Sequence, residues 1–405
     1  MSVFLQLYTQ LYLGGGIPKV IEQLGNDFKN TTSYTGLFDT TTPSYLNVPN
    51  IVQIGSPYQS KFKLLAWYKR FRSLKEIKKD KGVTVTVSHT PWLHLLNTIV
   101  GGKDKKILLF HTSLTSSNAF TLWQRILIKA ILFLFSNQTY ACIAVSVELE
   151  NELKRIPRIR NKVTHIFNYF ELEEIFQKSK EPLAFELDEI LNNYSVFVTA
   201  GRLHSQKNFT FLIELFAKLK KEKKYYAAKL LIMGIGPELE MLMELAHSEQ
   251  LVAVQLKSAG MGDLKKADII FAGYMANPYP VLRKGALYIS TSLYEGFPIA
   301  VCEALVLQKL VIISDCPTGH VEIISGSITN GYNIGKNPFG ILLPLRNLPK
   351  KQALHQWHTF MVENSDLILG CNGNQENHYR FSKEHKQQQI MKWQRMIEPA
   401  FVSIA

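Results

Sequence analysis

The back half of this chain alternates short apolar runs with longer stretches of helical periodicity, and little lies between them. From residue 194 onward the order is YSVFVTAGRL, FTFLIELFAKLKKE, AKLLIMG, PELEMLMELAHSEQ, ADIIFAG, ALYIS, a helix opening at Pro298, and KLVIISD. An apolar run without polar alternation needs cover on both faces, and intervening helices supply it, so this order predicts a parallel sheet with helices on both sides. The front half repeats the pattern with VFLQLY, IPKVIEQLGNDF, VTVTVS, KKILLFH and CIAVS. Between the halves, QKSKEPLAFELDEILNN (177 to 193) holds no strand signal. The expected fold is therefore α/β: two tandem Rossmann-like, doubly wound domains facing a central cleft lined by the carboxyl ends of strands, where open sheets bind ligands. We place the first domain at 1–175, a linker at 176–192 and the second domain at 193–384. A terminal helix at 385–405 would cross back onto the first domain.

With 405 residues, 46% of them apolar and 20% charged, the chain can bury two cores, and a disordered or fibrous chain is excluded. No apolar run reaches the ~20 residues of a membrane-spanning helix; Lys129 interrupts the longest, Ile126 to Phe135. MSVFLQLYTQLYLGGG lacks a basic leader and a small-residue cleavage site, and it reads as a buried strand ending in glycines. The expected compartment is the cytoplasm. Cys142, Cys302, Cys316 and Cys371 form no CxxC pair, so neither a zinc site nor a disulfide framework is indicated.

The net charge of +13 is concentrated in the front, where residues 1–170 hold 21 Lys and Arg against 9 Asp and Glu. Within it, KFKLLAWYKRFRSLKEIKKDK (61 to 81) sets Leu64, Leu65, Trp67, Tyr68, Phe71, Leu74 and Ile77 at helical spacing among nine basic residues. Two readings fit this basic amphipathic helix: packing on its own domain with a solvated basic face, or contact with anionic lipid or nucleic acid.

Three constellations carry chemistry. In ISTSLYEGFPIAVCEAL (289 to 305) a strand ends in a loop and opens a helix at Pro298. Backbone amides at a helix start meet phosphate or hydroxyl oxygens, and Gly296 permits close approach. Glu295 and Glu303 flank that start, and a carboxylate accepts two hydrogen bonds, which suits a vicinal diol. In TAGRLHSQKN (199 to 208), Arg202 and Lys207 follow a strand end, where two fixed cations can hold a diphosphate. No Asp-x-Asp pair exists in the chain. In LYLGGGIPKV (11 to 20), Gly14, Gly15 and Gly16 precede a helix and make only part of a dinucleotide fingerprint. His111 ends KKILLFH and fits a structural role as readily as a substrate contact.

Taken together these segments resemble the group 1 family of retaining glycosyltransferases, whose architecture is the two-domain GT-B fold. The resemblance is strongest over 195–345. There GRLHSQKNF is similar to the family's Gly-Arg-x5-Lys loop, LLIMGIGPELEML to its strand-glycine turn and YEGFPIAVCEAL to its Glu-x7-Glu motif. ISDCPTGHVEII is similar to its cleft loop and NPFGILLPL to its Gly-Leu-Leu-Val-Pro segment. FNYF (167 to 170) departs from the usual Asn-Pro at the linker approach.

The resemblance implies a nucleotide-sugar donor held mostly by the second domain. Arg202 and Lys207 would bind its diphosphate and Glu303 its ribose. Glu295, with the amides of Gly296 and Phe297 ahead of Pro298, would take the donor sugar. Gly15 and Gly16 would close over the phosphates, His111 would lie near the sugar's far hydroxyls and the reacting carbon, and the loop around Tyr274 and Met275 would meet the base. Neither a metal nor a protein nucleophile is implied. The GFP and CPTG segments resemble members acting on UDP-sugars in surface polysaccharide or glycan assembly. The basic front half would then suit a lipid-linked saccharide acceptor at the cytoplasmic face of the membrane, with 61–81 touching anionic lipid. The rivals are a GDP-mannose-type donor, a nucleotide-sugar epimerase on the same fold, which would need no acceptor, and a basic nucleic-acid-binding protein. No RNP-type or helix-turn-helix signature supports the last.

Overall fold

The strands of the front half form one seven-stranded parallel sheet. They are β1 (Ser2–Gln10), β2 (Thr31–Asp39), β3 (Ile51–Gln53), β4 (Val85–Ser88), β5 (Lys105–Phe110), β6 (Ala141–Ala144) and β7 (Val163–His165), in the order β3-β2-β1-β4-β5-β6-β7. The computed structural model describes residues 2–11, 15–28, 30–40, 46–55, 63–114, 120–325, 335–370 and 379–398. Phe4 stands between Ser33 of β2 and Val85 of β4. Phe4, Leu5 and Leu7 are all fully buried, so both faces of β1 are covered, as a parallel sheet requires. The cover comes from α1 (Gly16–Asn26), α2 (Lys63–Asp80), α3 (Pro91–Ile99), α4 (Leu122–Leu134) and α5 (Val147–Leu153). The chain first winds from β1 toward β3 and then reverses to β4, which makes the carboxyl ends of β1 and β4 the switch point of the sheet.

Strand β2 has no apolar run in TTSYTGLFD, yet it pairs with β1 along its length. Gly36 allows this, because a Cβ there would lie 2.5 Å from Ile54 Cδ1.

Two expectations change here. In α2, Leu64, Leu65 and Tyr68 face outward while Arg70 and Lys78 are buried. The Arg70 guanidinium lies 4.2 Å from the centre of the Phe38 ring. Lys78 Nζ donates to Asp104 Oδ2 at 2.8 Å and to Asn97 Oδ1 at 2.9 Å. Burial lowers the Lys78 pKa to about 8 against the pull of Asp104. A buried carboxylate demands paired cations, so part of the basic pattern of 61–81 is interior; residues 61 and 62 lie outside the described residues. The segment expected as a linker also folds, into α6 (Leu172–Lys178) and α7 (Phe185–Asn193), which bury Ile175, Leu187, Ile190 and Leu191.

The chain divides into unit 1, Met1–Tyr169 with Lys383–Ala405, and unit 2, Phe170–Ser382. The division falls inside FNYF: Tyr169 donates its hydroxyl to Asp27 Oδ2 at 2.6 Å in unit 1, while Phe170 packs on Phe297 and Phe381 in unit 2.

In unit 2 the helices after α7 are α8 (Phe209–Leu219), α9 (Leu239–Ser248), α10 (Met261–Lys266), α11 (Tyr279–Lys284), α12 (Ile299–Val306), α13 (His320–Ser325), α14 (Lys350–Glu363) and α15 (Ser365–Leu369). Its strands are β8 (Val196–Ala200), β9 (Lys229–Met233), β10 (Ala253–Gln255), β11 (Ile269–Gly273), β12 (Leu287–Ser290), β13 (Val311–Ser314), β14 (Gly335–Asn337) and β15 (Gly340–Leu343). They are ordered β10-β11-β9-β8-β12-β13-β15-β14, and β14 runs antiparallel to β15. Here the switch point lies between β8 and β12. Trp357 of α14 is fully buried against Phe211 of α8, with ring centroids 5.5 Å apart. The last helix, α16 (Lys383–Ile397), belongs to unit 1. There the Gln389 side chain accepts from Phe167 N at 3.1 Å and Lys105 Nζ donates to Met396 O at 3.3 Å. Among the described residues no helix is long and apolar enough to cross a membrane.

Candidate active site

The loops that leave β8 and β12 flank the switch point of unit 2, and they bring Lys207 and Glu295 together. Lys207 Nζ donates to Glu295 Oε1 at 2.6 Å, and Ser292 Oγ donates to the same oxygen at 2.7 Å. Burial works against the charge on Glu295, but the Lys207 ammonium and the Ser292 hydroxyl outweigh it and hold the carboxyl below its ordinary value. Glu295 is thus a buried, ionised acceptor. Lys207, expected at a diphosphate, is tied to the expected sugar-binding carboxylate in this structure; Arg202 of the same loop is exposed.

Glycine makes this loop possible. A Cβ on Gly201 would meet Lys207 Cε at 2.8 Å. A Cβ on Gly234 would lie 1.9 Å from Gly201 O, and one on Gly236 would lie 2.2 Å from Leu203 O. The GIG turn after β9 therefore backs the GRL loop at backbone contact distance, with Gly201 N to Met233 O at 2.9 Å and Leu203 N to Ile235 O at 3.0 Å.

Helix α12 starts just after Pro298, whose carbonyl accepts from Cys302 N at 3.0 Å. The Gly296 N–H, in the turn before it, makes no hydrogen bond among the described residues, so Glu295 as acceptor adjoins an amide donor. The CPTG loop closes on this turn. Glu295 N donates to Pro317 O at 3.3 Å, and a Cβ on Gly319 (φ +77) would strike Pro298 Cδ at 2.8 Å. Phe297 is braced by Phe170, the residue at the departure from Asn-Pro. His320 Nδ1 lies 2.9 Å from Ser314 O, a pure acceptor, so the ring carries its proton there; its buried Nε2 has no partner among the described residues.

Glu303 is buried on α12, and its Oε1 accepts from the Tyr279 hydroxyl at 3.0 Å. Tyr279 opens α11 immediately after the loop holding Tyr274 and Met275, both partly exposed. The two expected nucleotide contacts, Glu303 and the 274–275 loop, are thus linked through a residue that YMANPYP gave no reason to single out.

In unit 1, Gly15 is the N-cap and Gly16 the first residue of α1 at the carboxyl end of β1; Gly14 lies outside the described residues. His111 follows β5 and joins a buried network that the sequence did not show. Gln6 Nε2 donates to Ile21 O at 2.8 Å, which turns Gln6 Oε1 toward His89 Nε2, 3.2 Å away. His89 Nδ1 lies 3.0 Å from His111 Nε2, and the two rings meet edge to edge with planes 14° apart. Burial drives the His89 pKa well below the usual imidazole value, with the neighbouring His111 adding to it, and burial lowers that of His111 as well. Both rings are therefore neutral, and each holds one proton. Gln6 Oε1 can only accept, so His89 carries its proton on Nε2. His89 Nδ1 is then an acceptor, and His111 must carry its proton on Nε2. His111 Nδ1, which has no partner among the described residues, is left as a lone pair.

A pair of doubly wound sheets, with two carboxylates flanking a helix start and a cation loop at one switch point, is the architecture of the GT-B glycosyltransferases, and the chain resembles those of group 1. Residues 194–344 match the model of the family Glycosyl transferases group 1. Over 363 residues the chain is 28% identical to an uncharacterized glycosyltransferase of Methanocaldococcus jannaschii, covering 83% of this chain and 84% of the relative. It is 25% identical to the N-acetylgalactosamine-N,N'-diacetylbacillosaminyl-diphospho-undecaprenol 4-alpha-N-acetylgalactosaminyltransferase of Campylobacter jejuni, over 54% of this chain and 49% of that enzyme. Among solved structures, Anabaena HepE in complex with UDP and glucose superposes with a TM-score of 0.69 at 15% identity, covering 97% of this chain and 99% of HepE.

Proposed function

We propose that this glycosyltransferase moves a hexose or N-acetylhexosamine from a UDP-sugar to a lipid-linked saccharide at the cytoplasmic face of a membrane, with retention of the anomeric configuration and without a divalent cation. The observation that carries the proposal is the ionised, buried Glu295 beside the open Gly296 amide, eight residues before the buried Glu303 of α12. Glu295 accepts from hydroxyls of the donor sugar while the amides of Gly296 and Phe297 donate to it; Glu303 accepts from the ribose. Arg202 and Lys207 neutralise the leaving diphosphate, Lys207 turning from Glu295 to phosphate as the donor enters. Gly15 and Gly16 line the phosphates from unit 1, the backbone near Tyr274 and Met275 meets the base, and His111 Nδ1 accepts from a sugar hydroxyl. Attack on the same face as departure needs no protein nucleophile, and the leaving phosphate takes the acceptor's proton. The UDP-bound HepE structures and the undecaprenol-linked substrate in the name of the Campylobacter relative support the donor and acceptor classes.

The test is calorimetric titration with UDP, GDP and ADP in EDTA, on the natural chain and on Glu303→Ala. UDP should bind, GDP and ADP should bind far more weakly, and Glu303→Ala should lose roughly tenfold or more in UDP affinity. Glu295→Gln should keep UDP binding and lose transfer. Binding of no nucleotide would overturn the proposal, and turnover abolished by EDTA would overturn its metal independence.

A further inference from the structure

We infer that the exposed apolar band at the carboxyl edge of unit 1, centred on the first half of α4, seats the enzyme in the interface of an anionic bilayer. Helix α4 buries only Ile128, Ile131 and Leu132 against its unit. Its opposite face leaves Trp123 80% and Leu122 70% exposed, with Ile126 and Leu127 also outward. Side chains of this size are seldom left in water together unless something covers them.

The band continues beyond α4. Leu127 and Trp92 line one apolar hollow between α3 and α4. Trp92 also meets Trp67 of α2, with ring centroids 6.2 Å apart, and Leu64, one turn before Trp67, is 89% exposed. Each of these helices follows a strand of the parallel sheet, so its first turns stand at the edge that also carries His111.

Charge selects the occupant. No acidic residue occurs between Asp104 and Glu148, while α4 itself carries Arg125 and Lys129. Helix α2 has none before Glu76, after Lys63, Lys69, Arg72 and Lys75. Near the far end of α4, the Arg158 guanidinium lies 4.2 Å from the centre of the Phe133 ring. An apolar, tryptophan-bearing helix face with cations and no carboxylates fits the boundary between acyl chains and anionic headgroups. The inference extends the lipid-linked acceptor of the proposed function, and it moves the membrane contact from the basic residues of 61–81 to the apolar face of α4.

The experiment is flotation of the full-length protein with vesicles of phosphatidylcholine alone and with phosphatidylglycerol added. The natural chain should float with the mixed vesicles and far less with phosphatidylcholine. Trp123→Ser/Ile126→Ser, both at exposed positions, should reduce that binding by roughly tenfold or more. Absence of binding by the natural chain, or equal binding by the double variant, overturns the inference. So does a dimer in sedimentation velocity that the double variant converts to monomer while vesicles bind neither form, since the band then joins two copies. UDP titration of the same double variant separates the two proposals: intact UDP binding with lost flotation leaves the donor site standing on its own.

Discussion

Replacing Lys207 by Met should leave a charge stranded. In the natural chain Lys207 Nζ sits 2.6 Å from Glu295 Oε1, and only 7% of the Glu295 side chain is exposed, against 22% for Lys207. Breaking a buried ion pair from one side costs about 3 to 5 kcal/mol. The partial exposure of Lys207 and the remaining Ser292 bond reduce this to roughly 2 to 3 kcal/mol. In the natural chain the Glu295 carboxyl is depressed, so the pair stabilises the fold fully above the ordinary carboxyl value of 4.5 and ceases to do so as pH falls through the depressed one. Without the Lys207 ammonium, burial is opposed chiefly by the Ser292 bond, and the carboxyl rises. The defect of Lys207→Met should therefore be largest near neutrality and shrink toward about pH 4, as Glu295 takes up a proton. Urea unfolding serves as the assay, because Trp357 is the one tryptophan between residues 170 and 382 and is fully buried. Adding Glu295→Gln to Lys207→Met should recover most of the loss at neutral pH. A pH-independent defect, strictly additive with Glu295→Gln, would refute the reasoning.

Two further outcomes follow from the hydrogen-bond networks. Tyr279→Phe removes the donor to Glu303 Oε1 and should weaken UDP binding roughly three- to tenfold by calorimetry, with no change in the melting of unit 1; unchanged affinity would place Tyr279 outside the site. Gln6→Leu deprives the His89 Nε2 proton of its acceptor and lets the His89–His111 pair exchange tautomers, so kcat should fall severalfold with the donor KM unchanged; nitrogen-15 spectra of the His111 ring, showing a single Nε2–H form in both proteins, would contradict this.

The strands were legible wherever burial on both faces wrote an unbroken apolar run, as in AKLLIMG for β9 or KLVIISD for β13. Strand β2 was not, because a Thr-, Ser- and Gly-bearing strand owes its place to partners on both sides and to the room left by Gly36. The folded segment around α6 and α7 hid for a related reason: two short helices with only Ile175, Leu187, Ile190 and Leu191 buried leave a polar sequence. In 61–81 the helix was legible and its facing was not. Periodicity assigns the apolar side to the core, but Asp104, 26 residues beyond Lys78, draws Lys78 inward.

The candidate site divides the same way. Glu295, Gly296 and Glu303 stand within one strand-to-helix turn, and local spacing suffices to place them. Their partners come from elsewhere: Lys207 from 88 residues away, Tyr279 from 24 and, in unit 1, Gln6 lies 83 residues from His89. A local motif can name a carboxylate or an imidazole, but the protonation state that gives it a chemical role is fixed by such distant partners. Glu295 is an acceptor because Lys207 holds it ionised against burial. His111 offers a lone pair at Nδ1 because an amide on β1, itself turned by a carbonyl of α1, directs the proton of His89. The same residue letters with Gln6 exchanged for a hydrocarbon would keep every motif and lose that direction, which is why the motifs identify the family while the networks behind them set what each site residue can donate or accept.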